Sequence, residues 1–512
     1  MPLPAPGTQW PPPAHLPAYE ALGVWSAWYS SDRDQLARVY SRERARGDRD
    51  RPSQYRNGIV GRAARWFWGE PQGNDGPSSR LHVPLAADIC GTSANMLFSE
   101  RPAFVVDGNE EATKRLDEVF GERAIVQLHE AAEVQAALAG VYLIAGFDTE
   151  IADMPLTTVV HPDSAIPEWR AGRLAAVTFH KVVARDDRTG IVWRHLEHHG
   201  RGFIEHALYE GRSDNIGRPV PLTDQPETSA LISADMAEDG TIPTELDRLD
   251  VTYVPNAVDR RFRSDPIAHH LGRPDIQGIE PVLDALDESW TSWIKDLRLG
   301  AGKIHVPTGY LENHGPGKGA SFDHNREVYV ELNALNPGGA GLPITATQLA
   351  IRLAEHQGTC DALSREAVSD AGYSPATFGM GEVVAITATE VEARERKTLW
   401  LRGQKERRWK LALADHAENL TEIDKREFEK GTGRVRPDIQ FPPYVSAGPL
   451  ERAQTVQLMD AAGAASKATL VATQHPGWDK KRVDAEVAEL LAEVAALAPA
   501  DPMGFDRSGP PA

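Results

Sequence analysis

A chain of 512 residues is about three times the length one domain needs, and 55 Lys+Arg against 74 Asp+Glu leave a formal net charge of −19. A hydrophobic fraction of 41% excludes a wholly disordered protein, and the acidic excess excludes a basic module that clamps phosphates along its length. Two cysteines, Cys90 and Cys360, build neither a disulfide framework nor a cysteine zinc site, which points to a reducing cytoplasm. No run approaches 18 apolar residues, and MPLPAPGTQWPPP lacks the apolar stretch of a signal peptide.

Seven prolines in residues 1–17 and four in 499–512 read as mobile tails. Between them, Leu22, Trp25, Trp28, Tyr29, Leu36, Val39 and Tyr40 recur at helical steps, predicting one helix from Pro17 to about Asp50. A second helix fits Pro84 to Ser99, a short strand Ala103–Val106, and a third helix Glu110 to Ala139, ended by Gly140. Short apolar or alternating runs then follow at 141–148, 157–161, 174–183, 191–198 and 202–210, separated by turn residues, as in an antiparallel meander. Residues 211–250 read as polar and irregular before VTYVPNAV resumes a strand.

From residue 279 the period changes. Ile279, Leu283, Leu286, Trp290, Trp293 and Leu297 form a heptad seam, with charged residues such as Asp284, Asp287 and Glu288 on the other faces. Thr345–Gln348 has the pattern of a capping box, opening a matched segment with Leu349, Leu353, His356, Cys360, Leu363 and Ala367. The two predict an antiparallel helix pair, with KIHVPTGYLE, HGPGKG and REVYVELN as a small β-rich insert at its far end. Three glycines and a proline in Ala371–Gly381 argue against a regular element there. A helix of roughly 35 residues follows to Ile423, with Gly403 as the natural place for a bend. VRPDIQF (435–441) reads as a returning strand, and 450–462, 466–475 and 479–497 as a compact helical unit with Ser466 and Asp479 at cap positions.

Tests for chemistry give little. Gly317-Lys318 lacks both the upstream glycine and the following Ser or Thr of a phosphate loop, since position 312 is Glu and 319 is Gly. His195, His198, His199 and His206 fall on one hairpin that could imitate a zinc site. Glu197 and His198 alternate to opposite faces, however, and a solvated hairpin is the plainer reading. No Gly-x-Ser-x-Gly is present, and Cys360 sits where a small buried hydrophobe belongs. The basic run Arg394–Lys410 reads as a long solvated helix laced by i,i+4 pairs before it reads as a nucleic-acid contact. The residues support no catalysis, cofactor or metal.

The order of parts resembles the portal proteins of tailed bacteriophages, in particular those of long-tailed phages of Gram-positive hosts. The resemblance rests on RLHVPLAADICGTSANMLFSERPAFVVDG (80–108), on IEPVLDALDESWTSWIKDLRLGAGKIHVP (279–307), on the helix, glycine loop and long helix of 345–423, and on GAASKATLVATQHPGWDKKRVDAEVAELLAEV (463–494). It implies an α+β portal fold with a wing (18–278), stem helix 1 (279–300), clip (301–342), stem helix 2 (343–370), tunnel loop (371–382), a long bent tunnel helix (383–425), a returning wing strand (426–445) and a helical crown (446–498), between disordered tails 1–17 and 499–512. The implied stem packing uses Leu283, Leu286, Trp290, Trp293, Leu297, Leu349, Leu353 and Leu363. The tunnel loop would meet DNA through Tyr373, Ser374, Pro375, Thr377, Phe378 and Met380. The clip would meet the packaging motor and tail adaptor through His305, Tyr310, His314, Lys318, Arg326 and Tyr329.

The resemblance further implies a homo-oligomeric ring, usually a dodecamer, at one capsid vertex of the virion, made in the host bacterial cytoplasm. Its partners would be double-stranded DNA, the terminase large subunit, a head–tail adaptor, and the major capsid and scaffold proteins, with no membrane. Packaging would draw on the separate terminase ATPase, and the same channel would serve ejection. The alternatives are another oligomeric virion component, such as a capsid or head–tail connector protein, and a hairpin-bound metal-dependent hydrolase.

Overall fold

The computed structural model describes residues 3–32, 34–40, 81–232, 236–300, 303–305, 312–313, 320–321, 345–347, 352–380, 388–443, 449–475, 478 and 480–497. The fold is α+β. In chain order the main elements are α1 (Leu16–Ser30), α2 (Leu85–Phe98), β1 (Ala103–Val105), α3 (Glu110–Val119), α4 (Glu122–Leu138), β2 (Gly140–Gly146), β3 (Leu156–Val160), β4 (Ala165–Arg170), β5 (Arg173–Asp186), β6 (Ile191–Gly200), β7 (Phe203–Arg212), β8 (Asn215–Val220), β9 (Thr241–Pro243) and β10 (Val251–Pro255). There follow α5 (Glu280–Gly300), β11 (Lys303–His305), β12 (Glu312–Asn313), β13 (Ala320–Ser321), β14 (Thr345–Thr347), α6 (Leu353–Ala371), α7 (Ala388–Glu427), β15 (Asp438–Gln440), α8 (Pro449–Ala461), α9 (Lys467–Gln474) and α10 (Lys480–Leu497). Among the described residues no helix is long and apolar enough to cross a membrane.

The chain forms two compact units, Met1–Gly381 with Lys397–Pro442, and Glu382–Arg396 with Pro443–Ala512. In the first, the meander resolves into two antiparallel sheets, β10-β2-β3 and β4-β5-β6-β7-β8, with β9 pairing to β7. One large core joins α1, α2, α4, α5, α6 and α7, with Trp28, Trp409, Phe104 and Phe120 buried in it. β1 pairs antiparallel with β15, so the returning strand closes on a strand more than 300 residues earlier. In the second unit, α8, α9 and α10 form the expected helical run, and the Ser466 hydroxyl caps α9 by accepting from Thr469 N–H. Leu490 and Leu491 of α10 are exposed, and Asp479 lies outside the described residues.

Several predicted boundaries move. The first helix stops at Ser30, Ser31 turns left-handed (φ 55°), and residues 34–40 are helical again. Asp32 Oδ1 restarts it by accepting the N–H groups of Asp34 and Gln35 at 2.9 and 3.1 Å. The remainder of that predicted helix, 41–50, lies outside the described residues. The single helix predicted over 110–139 is two, α3 and α4, broken where the Phe120 ring leaves the helix to stack on Phe104 at 4.0 Å. Asn109 caps the first by accepting from Ala112 N–H. Gly140 is not the cap of α4, because Ala139 takes the left-handed turn and Gly140 opens β2. A Cβ on Gly140 would lie 2.0 Å from the Tyr253 hydroxyl, so the glycine is required by close approach across the sheet.

The polar stretch 211–250 contains β8 and β9. Gly217 at φ 80° and Pro219 hide β8 from a pattern reading. The second seam helix does not open at Thr345. Thr345–Thr347 instead pairs antiparallel with Lys303–His305, and α6 starts at Leu353. Near residue 375 the glycine-rich loop holds a regular turn, a 3-10 helix over Pro375–Phe378 that proline initiates.

The proline-rich N-terminus, expected as a free tail, is built into the sheet from residue 3 onward. Trp10 is buried against Leu196, Tyr209 and Ile216, under the Arg194 guanidinium at 5.7 Å. Gly7 N–H donates to Gly217 C=O at 2.7 Å, and the Tyr209 hydroxyl donates to Pro4 C=O at 2.9 Å. Proline offers no donors of its own, but its carbonyls and a buried indole suffice to hold an arm. Trp10→Ala is expected to remove about 3 kcal/mol of local stability. Faster hydrogen exchange in 192–216 and a new proteolytic cut within 1–15 would show it, and unchanged exchange would contradict the strapped arm.

Candidate functional site

The seam predicted at 279–297 and 349–367 is the feature whose geometry bears most on function. α5 and α6 pack against one another, and at the body end the seam is core: Ile279, Leu283, Leu286, Ala367 and Cys360 are buried. Trp290 and Trp293 are half-buried and stacked at 4.9 Å, and Trp293 stacks on His356 with rings 4° from parallel. Asp296 accepts from Arg352 at 2.6 Å and lies 2.8 Å from His356 Nε2, pinning the two helices across the seam. Farther out the cover fails. Leu297 is 41% exposed and Leu353 56% exposed. Leu363 packs against the core, and Leu349 lies outside the described residues.

Two buried carboxylates root the pair. Asp275, in the turn leading into α5, takes the Lys405 ammonium at 2.6 Å, the Tyr373 hydroxyl at 2.5 Å and the Asn256 side-chain amide at 2.8 Å. Lys405 also donates to Ser93 Oγ of α2 at 2.6 Å. One cluster thus ties α2, the entry to α5, the exit from α6 and the middle of α7. Burial pulls the Lys405 amine down while Asp275 pulls it back up, and burial drives the Tyr373 phenol well up. Asp287 of α5, predicted on a solvated face, is buried and accepts from Tyr40 at 2.6 Å and Val83 N–H at 2.9 Å, with His82 Nδ1 at 2.8 Å.

The same contacts reach into the loop over 371–380. Tyr373 and Ser374 are buried, Ser374 N–H donates to Thr398 Oγ1 at 2.8 Å, and Thr377 Oγ1 lies 2.8 Å from the same oxygen. Phe378 and Met380 pack against the core, and Pro375 starts the 3-10 turn. Tyr373 and Ser374 thus wedge the exit of α6, while Pro375, Thr377, Phe378 and Met380 remain half-buried. The basic run on α7 is solvated only in part: Arg396, Lys397 and Arg407 are exposed, but two of its members turn inward. Lys405 is fully buried, and Arg402 is buried, donating to Met96 C=O at 2.7 Å and Pro442 C=O at 2.6 Å. Of the clip residues, His305 belongs to β11, while Tyr310, His314, Lys318, Arg326 and Tyr329 lie outside the described residues.

The four hairpin histidines are buried too, against the solvated hairpin expected. His195 Nε2 and His206 Nδ1 are 3.1 Å apart, although the register pairs His206 with Glu197. His199 sits between Asp250 and Glu197 at 2.8 and 2.9 Å. Burial alone would drive this imidazole down, but the two carboxylates outweigh burial and hold it up at about 9. Burial brings His198 and His180 down to about 4 and His416 to about 3. Among the described residues no group of His, Cys, Asp or Glu is arranged to hold a metal. Cys90 is fully buried, its thiol pushed well up by desolvation.

No family model matches this chain, and no curated protein does. Solved structures with a similar chain course include a chain from the virion of a native gene transfer agent particle, at TM-score 0.40 and 14% identity, covering 80% of this chain and 97% of that one. A chain from the neck of the native particle, computed with C12 symmetry, gives 0.40 and 14% over 83% and 95%. A chain from the neck of the empty particle, computed with C6 symmetry, gives 0.37 and 13% over 83% and 95%.

Two predictions follow from the buried charges. Asp275→Asn or Lys405→Met alone leaves one charge buried and unpaired, at a cost of about 3–5 kcal/mol. The double variant is expected to recover much of that loss in thermal unfolding. Additive losses would mean that the two residues do not act as a pair. For pH, His180, His198 and His416 bind protons more readily unfolded, so stability rises with pH from about 3 for His416, and about 4 for the other two, toward 6.5. His199 has the opposite sign: its contribution is full below 6.5 and lost as pH rises through about 9, with a slope of up to about 1.4 kcal/mol per pH unit. His199→Asn should flatten that alkaline limb of the melting-temperature profile. An unchanged limb would contradict the assignment.

Proposed function

We propose that this chain is the portal subunit of a tailed bacteriophage, a non-enzymatic part that assembles into a ring and conducts double-stranded DNA. The observation that carries the reading is the gradient along the helix pair. α5 and α6 are rooted in the core by Asp275 and Asp287, yet Leu297 and Leu353 lie exposed at their outer turns. On α7, Trp400 is 72% and Leu411 64% exposed, and eleven residues return a helix to the same face. Large apolar side chains left open at fixed places on stiff helices call for more copies of the chain. Repetition around a closed ring covers such faces on every copy, because each copy presents one face and receives another.

In this reading the two sheets and their helices form the wing, α5 and α6 the stem, and the stretch between them the clip that meets the terminase and the head–tail adaptor. Capsid and scaffold proteins would surround the wing. α7 crosses the body, and the 371–380 loop fixes the stem's root. The energy for packaging comes from a separate ATPase, which suits a chain with no phosphate loop in its sequence. An acidic subunit favours passage over adhesion, since a conduit that gripped phosphates along its length would stall its cargo.

Class averages of the purified, negatively stained protein, with mass photometry of the same sample, test the reading. The expected result is a closed ring with a central pore and a mass near an integral multiple of 56.0 kDa. Leu297→Asp with Leu353→Asp should weaken that ring while leaving the melting temperature of the dissociated chain unchanged. A stable monomer or a two-fold dimer at micromolar concentration would overturn the proposal.

A further inference from the structure

Five exposed arginines gather on two neighbouring loops of a chain that is otherwise strongly acidic. Arg170 and Arg173 face each other in register across the β4–β5 hairpin, whose two turn residues, Ala171 and Gly172, both have positive φ. Like charges directly opposite one another destabilise a hairpin, yet no acid stands between them. Arg260, Arg261 and Arg263 follow β10 on the second loop and are exposed. Asp259 Oδ1 fixes that loop by accepting the N–H groups of Arg261 and Phe262 at 2.6 and 3.2 Å. The Arg261 guanidinium lies 5.3 Å from the Phe262 ring.

Both loops rest on one apolar cluster, Ala18, Ala268 and Leu271, flanked by Trp169 from the hairpin and Phe262 from the loop. Trp169 also meets His270 at 5.2 Å. Among the described residues none of the five guanidinium groups has an ion-pair partner, whereas Arg115, Arg248, Arg434 and Arg436 each hold a carboxylate. The acids of the second loop serve its own backbone. Asp259 is buried at the turn just described, and Asp265 Oδ1 accepts from Ile267 and Ala268 N–H at 2.8 Å.

We propose that the Arg170–Arg173 hairpin tip and the Arg260–Arg263 loop form a docking surface for the phosphate backbone of duplex DNA, without base readout. The net charge of −19 does not forbid this. At physiological salt a charge is felt over about 8 Å, so a phosphate at this surface senses the arginines before the rest of the molecule. A guanidinium fork matches phosphate oxygens in pairs, and a duplex supplies a regular row of them. Five contacts per copy would be weak singly and additive where copies repeat. The surface can be tested on unassembled chain, so its failure and the failure of the ring reading are distinguishable.

The experiment is fluorescence anisotropy of a mixed-sequence duplex with the full-length protein, titrated at several salt concentrations. Arg260→Gln, Arg261→Gln and Arg263→Gln together should weaken binding at least about tenfold near 0.1 M salt. They should also reduce the log–log salt slope by up to about 0.9 per arginine removed. Arg170→Gln with Arg173→Gln should act in the same direction, and the Lys versions of all five should restore most of the affinity. Unchanged melting temperatures confirm that the variants fold. Duplex affinity and salt slope unaltered by the Gln variants would overturn the proposal. So would Gln variants that bind the duplex normally but assemble poorly, since the arginines would then contact carboxylates of a second copy.

Discussion

Lys405 and Asp275 meet in an apolar interior where neither charge would be stable alone. Their contact decides more than local stability. Asp275 stands where the chain turns into α5, Lys405 lies in the middle of α7, Ser93 belongs to α2, and Tyr373 follows α6. Four segments far apart in sequence are thereby held in one register. Trp409 adds a second tie, donating from its indole to Gln135 of α4 at 2.9 Å. A hydrophobic pair could fill the same volume, but it would leave α7 freer to slide along its neighbours. A buried charge pair with fixed donors accepts one alignment.

That alignment gives the helix pair its character. Near the body it is ordinary core, with Leu286 and Ala367 buried. Toward its outer turns the seam runs on in sequence while the molecule stops covering it. The stacked Trp290 and Trp293 mark the transition. The pair is thus stiff at its root and unfinished at its tip, which is what a component that completes itself against further copies requires. The acidic surplus acts on a different scale. It sets a general reluctance to hold polyanions, against which five arginines on two loops stand out as a local exception.

Much of this was legible in the residues, because periodicity records burial. The seam helices, the meander strands and the long helix all followed from spacing of apolar residues, and α7 at 40 residues runs a little longer than its pattern. Misreadings came where a single residue's local chemistry overrode period. Asp32 restarts a helix, Phe120 leaves one to stack, and Gly217 with Pro219 disguises a strand. Larger errors arose from charge. Lys405, Arg402 and Asp287 carry polar signatures, and the partners that bury them come from remote segments, 130 residues away for Lys405 and Asp275. No local window contains both members of such a pair. Nor does composition reveal that a proline-rich arm will insert Trp10 into a sheet, since the matching hollow is built by Leu196, Tyr209 and Ile216.

A ring-forming conduit makes a demand on location that a protein of the capsid shell does not share. Gold-labelled antibody against this chain, applied to particles opened at the head and counted by electron microscopy, measures it directly. The account predicts label at one site per head, where the tail joins. Label spread over the shell, or particles free of the chain, would contradict it.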